Sequence, residues 1–198
     1  MSFDRRRWLQ AAALACCSPM LPVRAAGNPA DGVAASLRQG GVVITFRHAD
    51  APGTFDPPGM RLDDCRTQRN LGEAGRAQAQ RLGRWFAEQR LVPEQVLSSP
   101  WCRCRDTATL AFGRGEVWAP LGSPHGSDPA ARAAQRAALR QALAARRGRS
   151  GFDVWVTHMF VLADLTGENS DSAQGLVLRS GTGGRVEVLA RLAPPPLG

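Results

Sequence analysis

The chain has 198 residues, 43% of them hydrophobic, which is enough for one sizeable core and too little for two ordinary domains. Its formal net charge is +8, and its basic residues are all arginine. That one-sided usage is typical of coding bias, and aromatic residues do not alternate with the arginines. The basic charge therefore does not predict a nucleic-acid-binding protein.

Residues 1–25 predict an export signal. The basic run Arg5–Arg7 precedes an almost uncharged stretch, and the small residues Val23 and Ala25 suit a cleavage site. The paired arginines, followed by an aromatic residue and a leucine, resemble the bacterial twin-arginine signal. A retained membrane anchor is the alternative, but the apolar run is short and two prolines interrupt it, so no stable membrane span is expected. We expect a cleaved signal over 1–25, one domain over 26–198, and a periplasmic or secreted protein.

Three cysteines, Cys65, Cys102 and Cys104, follow the predicted signal. An oxidising compartment permits a disulfide, and we expect Cys65 to pair with Cys102 or with Cys104. Zinc binding is the alternative. The single residue between Cys102 and Cys104 is shorter than the usual zinc spacing, and no pair of histidines lies nearby, so no metal is expected.

The clearest strand pattern is the apolar run Val42–Phe46, which follows a short predicted helix over 31–38. The strand ends at Arg47 and His48. Residues 49–70 are rich in proline, glycine and aspartate and have no apolar period, which predicts a long loop over the end of the strand.

The remaining chain alternates predicted helices and strands. Helices are expected at 73–89, 100–112, 128–147 and 160–165, the second of them capped by Ser99, and strands at 96–97, 116–121, 152–157, 175–179 and 185–192. The last two strands read as a hairpin across a glycine-rich turn. This order predicts an α/β fold, a three-layer sandwich whose mostly parallel sheet has an antiparallel edge.

Three predicted strands end in polar residues that favour anions. These are Arg47-His48 after the first strand, Ser99 with Arg103 and Arg105 after the second, and Thr157-His158 after the fourth. Because parallel strands carry their carboxyl ends to one edge of the sheet, these residues are expected to meet in one crevice. Histidines and arginines around an anion, with no Gly-x-Ser-x-Gly motif, favour phosphoryl transfer to histidine.

The same residues resemble a known family. The resemblance covers about residues 41–179 and rests on four segments in order: 47–49, 71–79, 99–108 and 156–158. The chain resembles the histidine phosphatase superfamily, whose fold is that of cofactor-dependent phosphoglycerate mutase. The resemblance implies that His48 is the phosphate-accepting nucleophile and that Arg47, Arg103 and His158 form the phosphate pocket. It places Thr54 as a further phosphate contact and Ser99 near the pocket, with helix capping as the alternative role of Ser99.

The chain departs from this family in its proton donor. At the position where relatives carry a glutamate, this chain has Leu121-Gly122-Ser123, which contains no carboxylate. Another branch of the family has an aspartate directly after the second histidine, and this chain has Met159 there. The remaining candidates for the proton donor are four loop residues: Asp50, His125, Glu168 and Asp171. The alternative for each is an exposed loop residue that takes no part in the reaction.

We therefore expect an exported, metal-independent phosphatase without a cofactor, acting on phosphomonoesters through a phosphohistidine. The expected substrate is a small phosphorylated compound or an envelope sugar phosphate. One alternative is an envelope module that binds a phosphate ligand with little or no catalysis. Another is a phosphohistidine or acyl-phosphate hydrolase, whose better leaving groups need no acid.

Overall fold

A computed structural model describes residues 29–194, and the predicted signal over 1–25 lies outside the described residues. The helices are α1 (Pro29–Gln39), α2 (Glu73–Glu88), α3 (Cys102–Phe112), α4 (Pro129–Ala144) and α5 (Met159–Thr166). The strands are β1 (Val42–Arg47), β2 (Val96–Ser98), β3 (Glu116–Val117), β4 (Phe152–Thr157), β5 (Gly175–Ser180) and β6 (Val186–Leu192). The predicted α/β fold is confirmed.

The six strands form one sheet in the order β3-β2-β4-β1-β5-β6. The first four strands in this order, β3, β2, β4 and β1, run parallel to one another. Strand β5 runs antiparallel to β1, and β6 runs antiparallel to β5. The mostly parallel sheet with an antiparallel edge is therefore as expected. β1 and β4 lie at its centre and are paired along their whole lengths, from Val42–Phe152 to Arg47–Thr157.

Each face of the sheet is covered by helices. On one face α1, α2 and α3 pack Leu37, Leu82 and Ala108 against β1, β2 and β4. On the other, α4 and α5 pack Leu143 and Leu162 against the same sheet. Burial of these apolar faces holds the strand ends in place, since each fully buried large aliphatic side chain contributes roughly 1.5–3 kcal/mol.

Two predicted elements differ from the structure. The third strand is only two residues long, because Pro120 lacks an amide donor and the chain turns into a 3₁₀ turn over Ala119–Leu121. Helix α3 begins at Cys102, and its N-cap is Trp101 rather than Ser99. The predicted cap at Ser99 is therefore wrong, and the Ser99 hydroxyl is used elsewhere.

Helix α2 is held against the segment that follows β1. A Cβ atom at position 75 would lie 1.8 Å from the Asp50 carbonyl oxygen, so the contact requires Gly75. The Asp50 amide donates to Gln78 Oε1 at 3.0 Å. This close approach fixes the backbone just beyond His48.

The loop over 49–70 is tied down by a disulfide between Cys65 and Cys102, with Cα atoms 5.7 Å apart. The first of the two expected pairings is thus the one observed, and Cys104 is free and buried. Within residues 29–194, no helix has the length and apolar character needed to cross a membrane.

Candidate active site

The register of the central strands brings the two site histidines together. The His48 amide donates to the Thr157 carbonyl at 2.9 Å, and the Ser99 amide donates to the Val156 carbonyl at 2.9 Å. Residues 48, 99 and 158 therefore leave the sheet side by side. The ring centroids of His48 and His158 are 5.5 Å apart.

The His48 ring is oriented for nucleophilic attack. Nδ1 lies 2.8 Å from the Ala49 carbonyl oxygen, and a carbonyl only accepts, so Nδ1 carries the hydrogen and Nε2 has a free electron pair. Burial, with smaller contributions from Arg103, Arg69 and Arg47, lowers the pKa of His48 from 6.5 to about 3. The imidazole is therefore a neutral nucleophile over the physiological pH range.

His158 is also held in its neutral form. Its Nε2 lies 2.8 Å from Ser99 Oγ and 3.6 Å from Cys104 Sγ. Burial first, then the neighbouring His48 and three arginines, lower the pKa of His158 well below its usual value. Burial raises the pKa of the Cys104 thiol to about 12, so the thiol keeps its proton beside the ring.

Three arginines surround the histidines: Arg47, Arg69 and Arg103. They line one cavity with His48 and His158. In the described part of the chain the Nε atom of each of these arginines is buried and has no hydrogen-bond partner. Because guanidinium groups bind oxyanions through paired hydrogen bonds, three arginines around one cavity indicate a site for an oxyanion.

Arg103 has a carboxylate partner within the site. Its Nη1 and Nη2 donate to Asp56 Oδ1 and Oδ2 at 2.8 and 3.1 Å. Asp56 also accepts from Trp101 Nε1 and from the Arg69 amide. Burial alone would raise the pKa of Asp56, but these donors together outweigh it and lower the pKa. Asp56 is thus held as a carboxylate.

The cavity has a volume of about 560 Å³ and opens at the carboxyl edge of the sheet. It contains most of the residues expected there: Arg47, His48, Thr54, Arg103 and His158. Ser99 is fully buried behind His158 and does not line the cavity, so its contact is with the imidazole rather than with a ligand. Arg105 is exposed and does not line the cavity.

Arg69 and Asp56 were missed by sequence reasoning. Both lie in the long loop, where no periodicity assigns a residue to a face. One signal was present, because the expected pairing of Cys65 with Cys102 already tied this loop to the helix that carries Arg103.

Of the four expected donor candidates, the structure brings only His125 into the cavity. Glu168 forms an ion pair with Arg191 away from the site. Asp50 and Asp171 do not line the cavity, although both lie near enough to act electrostatically on Arg47. Among residues 29–194, no group of three or more His, Cys, Asp or Glu side chains is placed to hold a metal ion.

Comparison with known families matches residues 47–121 to the histidine phosphatase superfamily (branch 1). The matched segment contains His48, Arg69 and Arg103, and the sheet at whose edge they lie has the expected topology. The match thus shows a histidine phosphatase superfamily (branch 1) segment over residues 47–121. The prediction of a histidine-type phosphoric monoester hydrolase with a phosphoglycerate mutase-like fold is therefore confirmed.

Solved structures share the fold at low sequence identity. The protein histidine phosphatase SixA, solved with tungstate, is 20% identical over 77% of this chain and 97% of its own, with a TM-score of 0.52. The product of open reading frame Rv3214 from Mycobacterium tuberculosis is 20% identical over 75% and 96%, with a TM-score of 0.55. A mycobacterial glucosyl-3-phosphoglycerate phosphatase with VO3 is 16% identical over 75% and 97%, with a TM-score of 0.54. A search of curated proteins finds no match.

Proposed function

We propose that this protein is a histidine phosphatase superfamily enzyme: an exported, metal-independent phosphatase that hydrolyses phosphomonoesters through a phosphohistidine at His48. One observation carries the proposal. The neutral His48, with Nε2 free, lies in a cavity with three arginines, whose guanidinium groups are suited to bind phosphate oxygens.

The geometry supports a two-step reaction. His48 Nε2 attacks phosphorus in line while the ester P–O bond breaks, and Nδ1 keeps its hydrogen on the Ala49 carbonyl. Arg47, Arg69 and Arg103 bind the oxygens of the phosphoryl group as charge builds on them. Water then attacks the phosphohistidine, which releases inorganic phosphate and restores His48.

Metal independence is proposed because the arginines supply the positive charge that phosphoryl transfer needs. Guanidinium groups bind phosphate oxygens with fixed geometry and stay charged at any working pH. Burial lowers the pKa of both Arg47 and Arg69, but from so high a starting value that each remains a cation.

Export is proposed from two features. Residues 1–25 have the pattern of a signal peptide, and the Cys65–Cys102 disulfide fits an oxidising compartment. A periplasmic or secreted enzyme would encounter small phosphorylated compounds or envelope sugar phosphates. A cavity that opens at the sheet edge suits a small phosphate ester of this kind.

A phosphohistidine or acyl-phosphate hydrolase is the second candidate. One observation favours it: Asp56, the only carboxylate in the described lining of the cavity, is bound to Arg103 and held deprotonated. Leaving groups with low pKa values depart without a proton, so such substrates would not need a carboxylic acid in the site.

The test is hydrolysis of a panel of phosphate compounds by the mature protein in EDTA, with His48→Ala in parallel. The panel contains an aryl phosphate, an alkyl phosphate, acetyl phosphate and a phosphohistidine peptide. We expect the parent protein to hydrolyse both the aryl and the alkyl ester. EDTA should not reduce this turnover, and the His48→Ala substitution should abolish it. Turnover of only acetyl phosphate or phosphohistidine would favour the second candidate. Phosphate binding without any turnover would identify a binding module.

A further inference from the structure

The leaving-group side of the cavity needs a proton donor for alkyl esters. An alkoxide is a poor leaving group, and a positioned acid contributes roughly 10²–10⁴ in rate. The described lining has seven ionisable side chains: Arg47, His48, Asp56, Arg69, Arg103, His125 and His158.

Six of the seven side chains are unsuited to the donor role. Arginines do not release protons, and His48 is the nucleophile. Asp56 is held as a carboxylate by Arg103, Trp101 and the Arg69 amide. Burial keeps His158 neutral, and Ser99 and Cys104 contact its Nε2.

His125 is positioned at the mouth of the same cavity by two aromatic rings. Its ring stacks on Phe55, with centroids 5.4 Å apart and planes 26° apart. The His125 ring also stacks on Phe160, with centroids 5.8 Å apart and planes 22° apart. Both contacts are made ring to ring, and the imidazole nitrogens lie in the ring plane, where they can still form hydrogen bonds.

The two stacking partners place His125 next to the phosphate-binding groups. Phe55 directly precedes Asp56, which binds Arg103, and Phe160 follows His158 by two residues. The loop after the 3₁₀ turn therefore brings His125 between the segments that form the phosphate site. Each imidazole nitrogen can donate or accept a proton, which suits a group that gives a proton in one step and takes one in the next.

We propose that His125 is a catalytic residue that donates a proton to the leaving oxygen, an assignment that rests on the proposed phosphatase function. As the His48 Nε2–P bond forms and the P–O bond breaks, the imidazolium proton of His125 passes to the leaving oxygen and an alcohol departs. The neutral His125 then takes a proton from the water that attacks phosphorus. The N–P bond breaks, inorganic phosphate leaves, and both histidines return to their starting forms.

The test compares His125→Phe and His125→Gln with the parent protein on p-nitrophenyl phosphate and glycerol 2-phosphate. The phenylalanine variant keeps a ring for Phe55 and Phe160 to stack on but carries no proton. We expect kcat for glycerol 2-phosphate to fall by about 10²–10³-fold in both variants. For p-nitrophenyl phosphate, whose leaving group needs no acid, we expect less than about a fivefold change.

Other results would overturn the assignment. Full activity of His125→Phe on glycerol 2-phosphate would show that the ring only stacks, and an equal loss on both esters would show a general structural effect. Inorganic phosphate binding, measured by calorimetry on both variants, checks that the phosphate site is intact. Absence of ester hydrolysis by the parent protein would instead reject the proposed function itself.

Discussion

Asp56 and Arg103 form a two-pronged ion pair inside the phosphate-binding cavity, with Oδ1–Nη1 and Oδ2–Nη2 distances of 2.8 and 3.1 Å. Arg103 is only 5% exposed, so the carboxylate offsets the cost of burying its charge. The same carboxylate places a negative charge beside the site that is to bind a phosphate dianion. Asp56 therefore orients Arg103 and opposes the ligand at the same time.

Replacing Asp56 with asparagine removes this opposing charge. We expect Asp56→Asn to bind inorganic phosphate about tenfold more tightly by calorimetry, or about 1.4 kcal/mol. Without phosphate, its free energy of unfolding should fall by about 1–3 kcal/mol, because Arg103 loses a charged partner. Asp63→Asn is the matched control, since Asp63 is an exposed loop residue paired only with Arg61 at 3.7 Å. Weaker phosphate binding in Asp56→Asn would mean that orientation of Arg103 outweighs repulsion.

Arg103 and Arg105 provide a matched pair for testing the phosphate site. Both lie on α3, but Arg103 lines the cavity and Arg105 is exposed. We expect Arg103→Ala to lower kcat/KM for p-nitrophenyl phosphate by about 10²–10³-fold, as for loss of one donor to developing charge. Arg105→Ala should be unchanged. Arg103→Lys should rescue little, because an ammonium cannot reproduce the forked geometry; full activity of the lysine variant would show that charge alone suffices.

The Cys65–Cys102 disulfide closes a loop with a sequence separation of 37 residues. We expect Cys65→Ser/Cys102→Ser to lower the free energy of unfolding by about 2–4 kcal/mol in urea denaturation. Phosphate affinity should also fall, because the bridge ties the segment that carries Arg69 and Asp56 to α3. Reducing agent should destabilise the parent protein and leave the double variant unaffected. An unchanged unfolding midpoint in the double variant would contradict this account.

The buried His48 predicts a specific pH dependence of stability. Its pKa is about 3 in the folded protein and 6.5 when the ring is free in water, so the unfolded chain binds the proton more strongly. The neutral His48 ring makes its full contribution to the free energy of unfolding above pH 6.5, and this contribution is lost as the pH falls towards 3. Above pH 6.5, the free energy of unfolding of His48→Asn should change with pH as it does in the parent protein. Below pH 6.5, its slope against pH should be shallower than that of the parent by up to about 1.4 kcal/mol per pH unit. Parallel curves down to pH 4 would show that the ring is not held neutral.

The sequence predicts the strand-end residues well because hydrophobic runs and strand order place them without side-chain detail. Arg47 ends β1, and His48 and His158 directly follow β1 and β4, whose pairing ends at Arg47 and Thr157. Arg69, Asp56 and His125 could not be placed in the same way, because loops lack a period that assigns faces. The position of Asp56 depends on Arg103, Trp101 and the Arg69 amide, which come from two separate chain segments.

Ser99 shows how a local rule fails when tertiary contacts compete. A serine before proline is a strong helix-capping signal, yet Ser99 Oγ lies 2.8 Å from His158 Nε2 and the helix starts three residues later. The strand pairing that brings Ser99 beside His158 supplies a buried partner that the local sequence does not reveal.

His48 is the residue on which the phosphoryl group is expected to form a covalent intermediate. Rapid mixing with p-nitrophenyl phosphate, an alkaline quench and peptide mass spectrometry would locate the modification directly. We predict phosphate on His48, stable in alkali and lost in acid, with Arg105→Ala labelled like the parent protein and His48→Ala unlabelled. Phosphate on another residue, or turnover by His48→Ala at the parent rate, would contradict the account.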